Sequence, residues 1–192
     1  MSDDLAHLPD PQSLAREVDR LRGLITTLEE RVRLLDQLAH QDSLIDLPNR
    51  RGFMRQLGML IDRVNRYGDS AAMLFVDIDG LKLINDSLGH KAGDQALIQV
   101  AELLASGVRT SDCVARLGGD EFGILLDHSN QQAALETAAR LVDQIASAAF
   151  CCDGVSMPLS VAIGAAEIAP DDTPQAVIAR ADEAMYREKA AA

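Results

Sequence analysis

Val114-Ala115-Arg116-Leu117-Gly118-Gly119-Asp120-Glu121-Phe122-Gly123-Ile124-Leu125-Leu126 decides how this chain folds. Two short apolar runs joined by glycines read as a β-hairpin whose tip carries two adjacent acids. Gly118 and Gly119 let backbone come close to a ligand, and Asp120 and Glu121 are the hard oxygen donors that Mg²⁺ prefers. Taken alone, the same four residues are also ordinary turn chemistry. A second element weighs against that reading. Phe75-Val76-Asp77-Ile78-Asp79 closes the apolar run that begins at Ala71, so Asp77 stands at the C-terminal end of a largely buried strand, where an unpaired carboxylate is costly. If that strand lies beside the hairpin, Asp77, Asp120 and Glu121 converge and repel one another unless a cation sits between them.

The pattern on either side extends the reading. Asn49 caps a predicted helix from Arg50 to Tyr67, and Gly68 ends it. A strand over 71–78 follows, then a helix over 91–106, strands over 112–117 and 122–127, a helix over 131–148, a strand over 158–166 and a helix over 174–189. Without the outer helices the order is βαββαβ. That order predicts an α/β fold of the α+β kind with a ferredoxin-like split βαβ sheet, antiparallel in part, helices on one face, and the first strand beside the middle hairpin.

Before this domain, residues 1–10 are polar and read as a disordered tail, with a helix starting at Asp10 as N-cap and Pro11 in the first turn. Leu14, Val18, Leu21, Ile25, Leu28, Val32, Leu35 and Ala39 then recur at alternating spacings of four and three, a heptad pattern. With Val18, Ile25, Val32 and Ala39 at a and the leucines at d, residues 11–41 read as a parallel dimeric coiled coil, roughly 39 Å long from Leu14 to Ala39. Glu17 and Arg31 at g would reach Arg22 and Asp36 at e of the partner helix. The competing reading is an amphipathic helix folded onto its own domain. Residues 42–192 form the remaining domain.

Composition narrows the function. The 192 residues are 47% hydrophobic and carry a formal net charge of -12. So acidic a chain offers no broad nucleic-acid surface, and an acidic phosphate site in it suits free nucleotides better. There is no apolar run of 18 residues and no basic and apolar leader at the N-terminus, so the expectation is a cytoplasmic protein without membrane contact. Cys113, Cys151 and Cys152 fit no metal spacing and read as reduced, buried small residues.

The stretch Asp79-Gly80-Leu81-Lys82-Leu83-Ile84-Asn85-Asp86-Ser87-Leu88-Gly89-His90-Lys91-Ala92-Gly93-Asp94 reads as a loop able to turn backbone N–H groups towards phosphates. Asn85 and Asp94 offer the amide and carboxylate that match a guanine edge, and they are equally good cap and turn residues. His90 reads as a packing or hydrogen-bonding residue. Arg109-Thr110-Ser111-Asp112 offers an arginine fork that clamps phosphate or guanine, with Asp112 to orient it, or a plain surface ion pair.

Together, Phe75 to Asp79, Lys82 to Asp86, Gly89 to Asp94, Arg116 to Phe122 and Ala181-Asp182-Glu183-Ala184-Met185-Tyr186 resemble the bacterial GGDEF family of diguanylate cyclases, in order and with the expected spacing, from about Asp42 to Lys189. The resemblance implies the fold type of nucleotide cyclases and condensation of two GTP into cyclic di-3′,5′-GMP with release of pyrophosphate. By similarity, Asp77, the Ile78 carbonyl and Glu121 would hold two Mg²⁺ (or Mn²⁺) ions, with Asp120 assisting. Asn85 and Asp94 would read guanine, and Lys82 and Lys189 would touch the triphosphate, with Leu81, Gly118 and Gly119 lining the substrate. Arg109 and Asp112 would form a product-inhibition site. One domain holds one GTP, so a homodimer is implied, with assembly beyond it or a regulatory protein on the stalk as the expected input. The alternative is a catalytically inactive cyclic di-GMP receptor. Ile45 and Asp46 stand where the family has Thr and Gly, Gly80-Leu81 stands where an aromatic is commoner, and the family's Gly-Arg-Asn ending is lacking, which puts coupling to the stalk and GTP affinity in question.

Overall fold

A computed structural model describes residues 11–152 and 154–191. The expected tail over residues 1–10, and Asp10 as N-cap, lie outside the described residues. The chain divides into two compact units between Ala39 and His40. Among the described residues no helix is long and apolar enough to cross a membrane.

The first unit is one helix, α1 (Pro11–His40). Its heptad residues Leu14, Val18, Leu21, Ile25, Leu28, Val32 and Leu35 are 40–65% exposed. Leu24, Leu34 and Leu38, outside that seam, are exposed too. Within the single helix Glu17 turns to Arg20 at 2.7 Å, and Asp19 lies 3.9 Å from Arg22. Exposed pairs of this kind contribute little.

The second unit begins with a short closed loop. The Asp42 carboxylate accepts from the N–H groups of Leu44 and Ile45 at 2.9 and 3.1 Å. Ile45 fills the core, and Asp46 is exposed with an ordinary negative φ, so neither residue strains the turn. Helix α2 (Arg50–Tyr67) starts where Asn49 Oδ1 accepts from the Arg51 and Gly52 N–H groups, and ends at Gly68, left-handed with φ 71°. Strand β1 (Ala71–Ile78) follows, then α3 (Leu81–Leu88), α4 (His90–Ser106), β2 (Cys113–Gly118), β3 (Glu121–Asp127), α5 (Gln131–Ala146), the small β4 (Phe150–Cys152) and β5 (Val155–Met157) hairpin, β6 (Val161–Glu167) and α6 (Pro174–Ala191).

The main sheet runs β2-β3-β1-β6, and every neighbouring pair is antiparallel. This is the ferredoxin-like order, with β1 central and beside the hairpin. The crossover helices α4 and α5 lie on one face as expected, and the outer helices α2 and α6 cover the other. Ala72, Leu74, Val76 and Ile78 of β1 point into one core with α4 and α5, whereas Ala71, Met73 and Phe75 point into a second core with α2 and α6. A strand with no polar alternate residue is buried on both sides, and two helices must cover each face. Gly164 of β6 permits the close approach of α6, since a Cβ there would meet Met185 N at 2.1 Å and Ala181 O at 2.2 Å.

Two expectations are corrected. The stretch read as a loop contains α3, because Leu81 and Ile84 are buried and hold a helical turn against the core. Of the cysteines only Cys152 is buried. Cys151 is exposed on the alternate face of β4, and Cys113 is half-buried, with its thiol pushed up to about 11 by burial. His90 is an exposed first residue of α4.

Candidate active site

The β1–β3 register sets Asp77 directly opposite Glu121. Directly opposed residues share a face, so both carboxylates lie on the α2 and α6 side, at the end of their strands. The hairpin tip is tied to the same place by its backbone, Ile78 N donating to Asp120 O at 3.1 Å. Gly119 forms the turn with φ 48° and has open space where a Cβ would stand. Arg116 secures this tip from below. Its Nε and Nη2 donate to Gly119 O at 3.1 and 2.8 Å, and its Nη1 lies 3.3 Å from Asp42. Arg116 thus links the loop after α1 to the acidic turn, a role the sequence reading did not assign to it.

Burial raises the Asp77 carboxyl above its ordinary value, Lys189 opposes this, and the charges of Asp120 and Asp79 add to it. Burial likewise raises Glu121, and Asp120, Asp77 and Asp182 reinforce the shift against Arg50. The acids therefore sit in mutual tension on an electronegative corner, and a cation is already there. The Lys189 ammonium pairs with Asp77 Oδ1 and lies 3.6 Å from Asp79 Oδ1. Burial pulls against the Lys189 charge, but its bond to Asp77 and the field of Asp77 and Asp79 hold it above its ordinary value. Among the described residues no three His, Cys, Asp or Glu side chains are grouped closely enough to cage an ion. The donor chemistry, carboxylates that repel each other and already attract an ammonium, fits a hard divalent cation. Arg50 and Asp182 were given no role at these acids by motif reading, since only the packing of α2 and α6 brings them near, and Asp79, two residues past Asp77, was given none either.

Asn85 and Asp94 stand on α3 and α4. Gly93 explains how Asn85 is seated: a Cβ on Gly93 would lie 2.1 Å from Asn85 Oδ1, so the amide rests against the bare backbone one residue before Asp94. No side chain caps the start of α3. Lys82 is exposed there, while the Leu81 side chain is buried, leaving only its backbone to face a ligand.

Arg109 and Asp112 lie at the end of α4 and are not joined as expected. The Asp112 carboxylate accepts from the Arg109 N–H at 2.9 Å and the Asp127 N–H at 3.2 Å, so it shapes backbone and leaves the exposed guanidinium alone. Both residues line a cavity of about 540 Å³ together with Arg140, which donates to Gly107 O at 2.7 Å. Arg140 lies on α5 and carried no sequence signal.

The tension at the strand ends has a measurable consequence. Glu121→Gln removes a charge that burial and neighbouring acids disfavour, so without metal it should raise Tm at pH 7 by about 2 °C. In the parent protein the raised Glu121 binds its proton more tightly folded than unfolded, so its penalty is relieved as pH falls through the window above the ordinary carboxylate range. The advantage of Gln should therefore shrink towards about pH 4. Thermal melts in chelator across this range check both; a variant less stable at pH 7 would mean that Arg50 outweighs the repulsion.

Residues 39–192 match the family described as diguanylate cyclase, GGDEF domain. The chain is 39% identical over 175 residues to the diguanylate cyclase TpbB of Pseudomonas aeruginosa, an alignment that covers 90% of this chain and 40% of TpbB. Among solved structures, the coiled coil and GGDEF domain of DgcB from Caulobacter crescentus, in complex with c-di-GMP, is similar with TM-score 0.86 and 25% identity, covering 93% of this chain and 95% of that one. Diguanylate cyclase SiaD of Pseudomonas aeruginosa, in complex with its activator SiaC, is similar with TM-score 0.76 and 29% identity, covering 94% and 76%. The motifs, the sheet and these likenesses agree, and the chain belongs to the GGDEF diguanylate cyclase family.

Proposed function

We propose that this chain condenses two GTP into cyclic di-3′,5′-GMP, working as a homodimer. The observation that carries the reading is the pairing of Asp77 with Glu121 beside a glycine turn, with a cation on Asp77. Asp77, Glu121 and the Ile78 carbonyl, with Asp120 assisting, would hold two Mg²⁺ (or Mn²⁺) ions. When bound, these ions neutralise the triphosphate and activate the attacking 3′-hydroxyl. The Asp94 carboxylate accepts from the guanine N–H groups, and the Asn85 amide donates and accepts at the same base. Leu81 N–H and the uncapped start of α3 face phosphate, with Lys82 and Lys189 as cationic contacts and Gly118 and Gly119 leaving room. Each 3′-hydroxyl attacks the other nucleotide's α-phosphate, and pyrophosphate leaves. A receptor has no need of opposed acids whose repulsion goes unrelieved, which favours the cyclase over the receptor.

One domain holds one nucleotide, so two must meet. The exposed heptad seam of α1 supports a two-stranded coiled coil that raises the effective concentration of one half-site at the other. Leu24, Leu34 and Leu38 remain outside that seam and support a further contact, either assembly beyond the dimer or a regulatory protein, as SiaD has in SiaC. The Arg109, Asp112 and Arg140 cavity suits the phosphates and guanines of the product and supports feedback inhibition. GTP as substrate puts the domain in the cytoplasm.

The test is the initial rate of cyclic di-GMP and pyrophosphate formation against protein concentration. The rate per chain should rise with concentration at low protein, and Glu121→Gln should lose at least ~100-fold, more than an outer-shell change removes. No pyrophosphate at any concentration would favour the receptor. Progress curves should bend early as product accumulates and straighten in Arg109→Ala; unchanged curvature would discard the feedback site. Gly93→Ala displaces the Asn85 amide, so KM for GTP should rise roughly tenfold, the worth of one good hydrogen bond, with kcat less affected. An unchanged KM would remove Asn85 from guanine binding.

A further inference from the structure

Lys189 and a divalent ion would compete for the same carboxylate, that of Asp77. The ammonium sits on Asp77 Oδ1, with Asp79 Oδ1 3.6 Å away, and Asp77 is the carboxylate around which the expected ion set is built. A divalent ion on either oxygen of that carboxylate would stand close to the ammonium, and the two cations would repel. Lys189 is placed for movement: it lies in the last turn of α6, on a flexible four-carbon stem, with its side chain one third exposed. Its position also answers the electrostatic problem of the resting protein. The charges of Asp79 and Asp120 act on Asp77, those of Asp77, Asp120 and Asp182 act on Glu121, and Lys189 is the cation bonded to Asp77 itself.

We propose that Lys189 is a resident counter-cation that a divalent ion must displace from Asp77, and that the nucleotide triphosphate takes up the displaced ammonium. The inference rests on the cyclase reading of the acidic site. Without nucleotide, the ion must break the Lys189–Asp77 pair, and the freed ammonium keeps Asp79 as a partner. With nucleotide, the ammonium exchanges one anion for another and the ion meets an open carboxylate. Metal and nucleotide are then thermodynamically coupled through one side chain, and each tightens the other by the same factor. The resting site stays charge-balanced, and it becomes competent only when both ligands arrive.

The test is Mn²⁺ binding to the full chain, read from the free-ion paramagnetic resonance signal, first without nucleotide and then with a non-hydrolysable GTP analogue. Lys189→Gln should tighten Mn²⁺ binding to the nucleotide-free protein by about fivefold or more, the low end of ordinary coupling strengths. It should also shrink the factor by which the analogue tightens Mn²⁺. Arg187→Gln removes the same charge from the same end of α6, where the guanidinium turns back to Glu183 O, and should change Mn²⁺ binding by less than about twofold. Equal affinities in the parent protein and Lys189→Gln would overturn the inference, as would an Arg187→Gln effect as large as that of Lys189→Gln, which would mean a general field. Both of these leave the cyclase reading standing. Failure of Mn²⁺ to bind even with the analogue would overturn the acidic metal site, and this inference with it.

Discussion

The antiparallel pairing of β1 with β3, residue for residue from Ala71 with Asp127 to Asp77 with Glu121, is the constraint on which the rest depends. Side chains alternate across a sheet, so a slip of one residue would send Asp77 to the α4 and α5 face and bury Val76 on the wrong side. The register is locked by two apolar cores at once, with alternate residues of β1 committed to each. Two acids are thereby held at the ends of strands whose remaining residues cannot shift to relieve them. Stability of the sheet and tension at the site come from one set of contacts.

That tension organises the surroundings. Glu121 and Asp77 are pushed towards protonation by burial and by neighbouring acids, Asp120 acting on both, and α2 and α6 answer with Arg50 and Lys189. The bare backbone of Gly164 brings α6 against the sheet and so lets Lys189 reach residues 112 positions earlier in the chain. Arg116 performs the matching task below the turn, satisfying the Gly119 carbonyl and the Asp42 carboxylate together. One cation from within the hairpin thus ties the turn to Asp42, and one from the distant α6 meets the acids at the end of β1.

Much of the fold was legible because its signals are local. Asn49 and Gly68 bound α2 through capping geometry, and the continuous apolar run marked β1 from Ala71 to Ile78. The pairing of Asp77 with Glu121 followed from the order of elements, since βαββαβ places the first strand beside the hairpin. Misreadings arose where packing overrides local preference. Gly80, Asn85, Asp86 and Gly89 suggest a loop, yet Leu81 and Ile84 find a core and make a helix. The all-apolar β1 already signalled a sheet covered on both faces, and α2 and α6 cover the face that the crossover helices α4 and α5 leave open. Cys151 was read as buried from its type, whereas strand alternation in a small edge hairpin turns it outward.

Sequence by itself determined the bounds of α2, the main strands and their order, the acids of the turn and the heptad spacing of α1, because each depends on residues within a few turns of one another. Only the tertiary structure decided which charges meet. It gave Lys189 to Asp77, Arg116 to Asp42 and Gly119, and Arg140 to the cavity of Arg109; it withheld the Asp112 carboxylate from the Arg109 guanidinium. The reason is physical: a long cationic side chain carries no periodicity, and its partner is set by where two cores bring the backbones together.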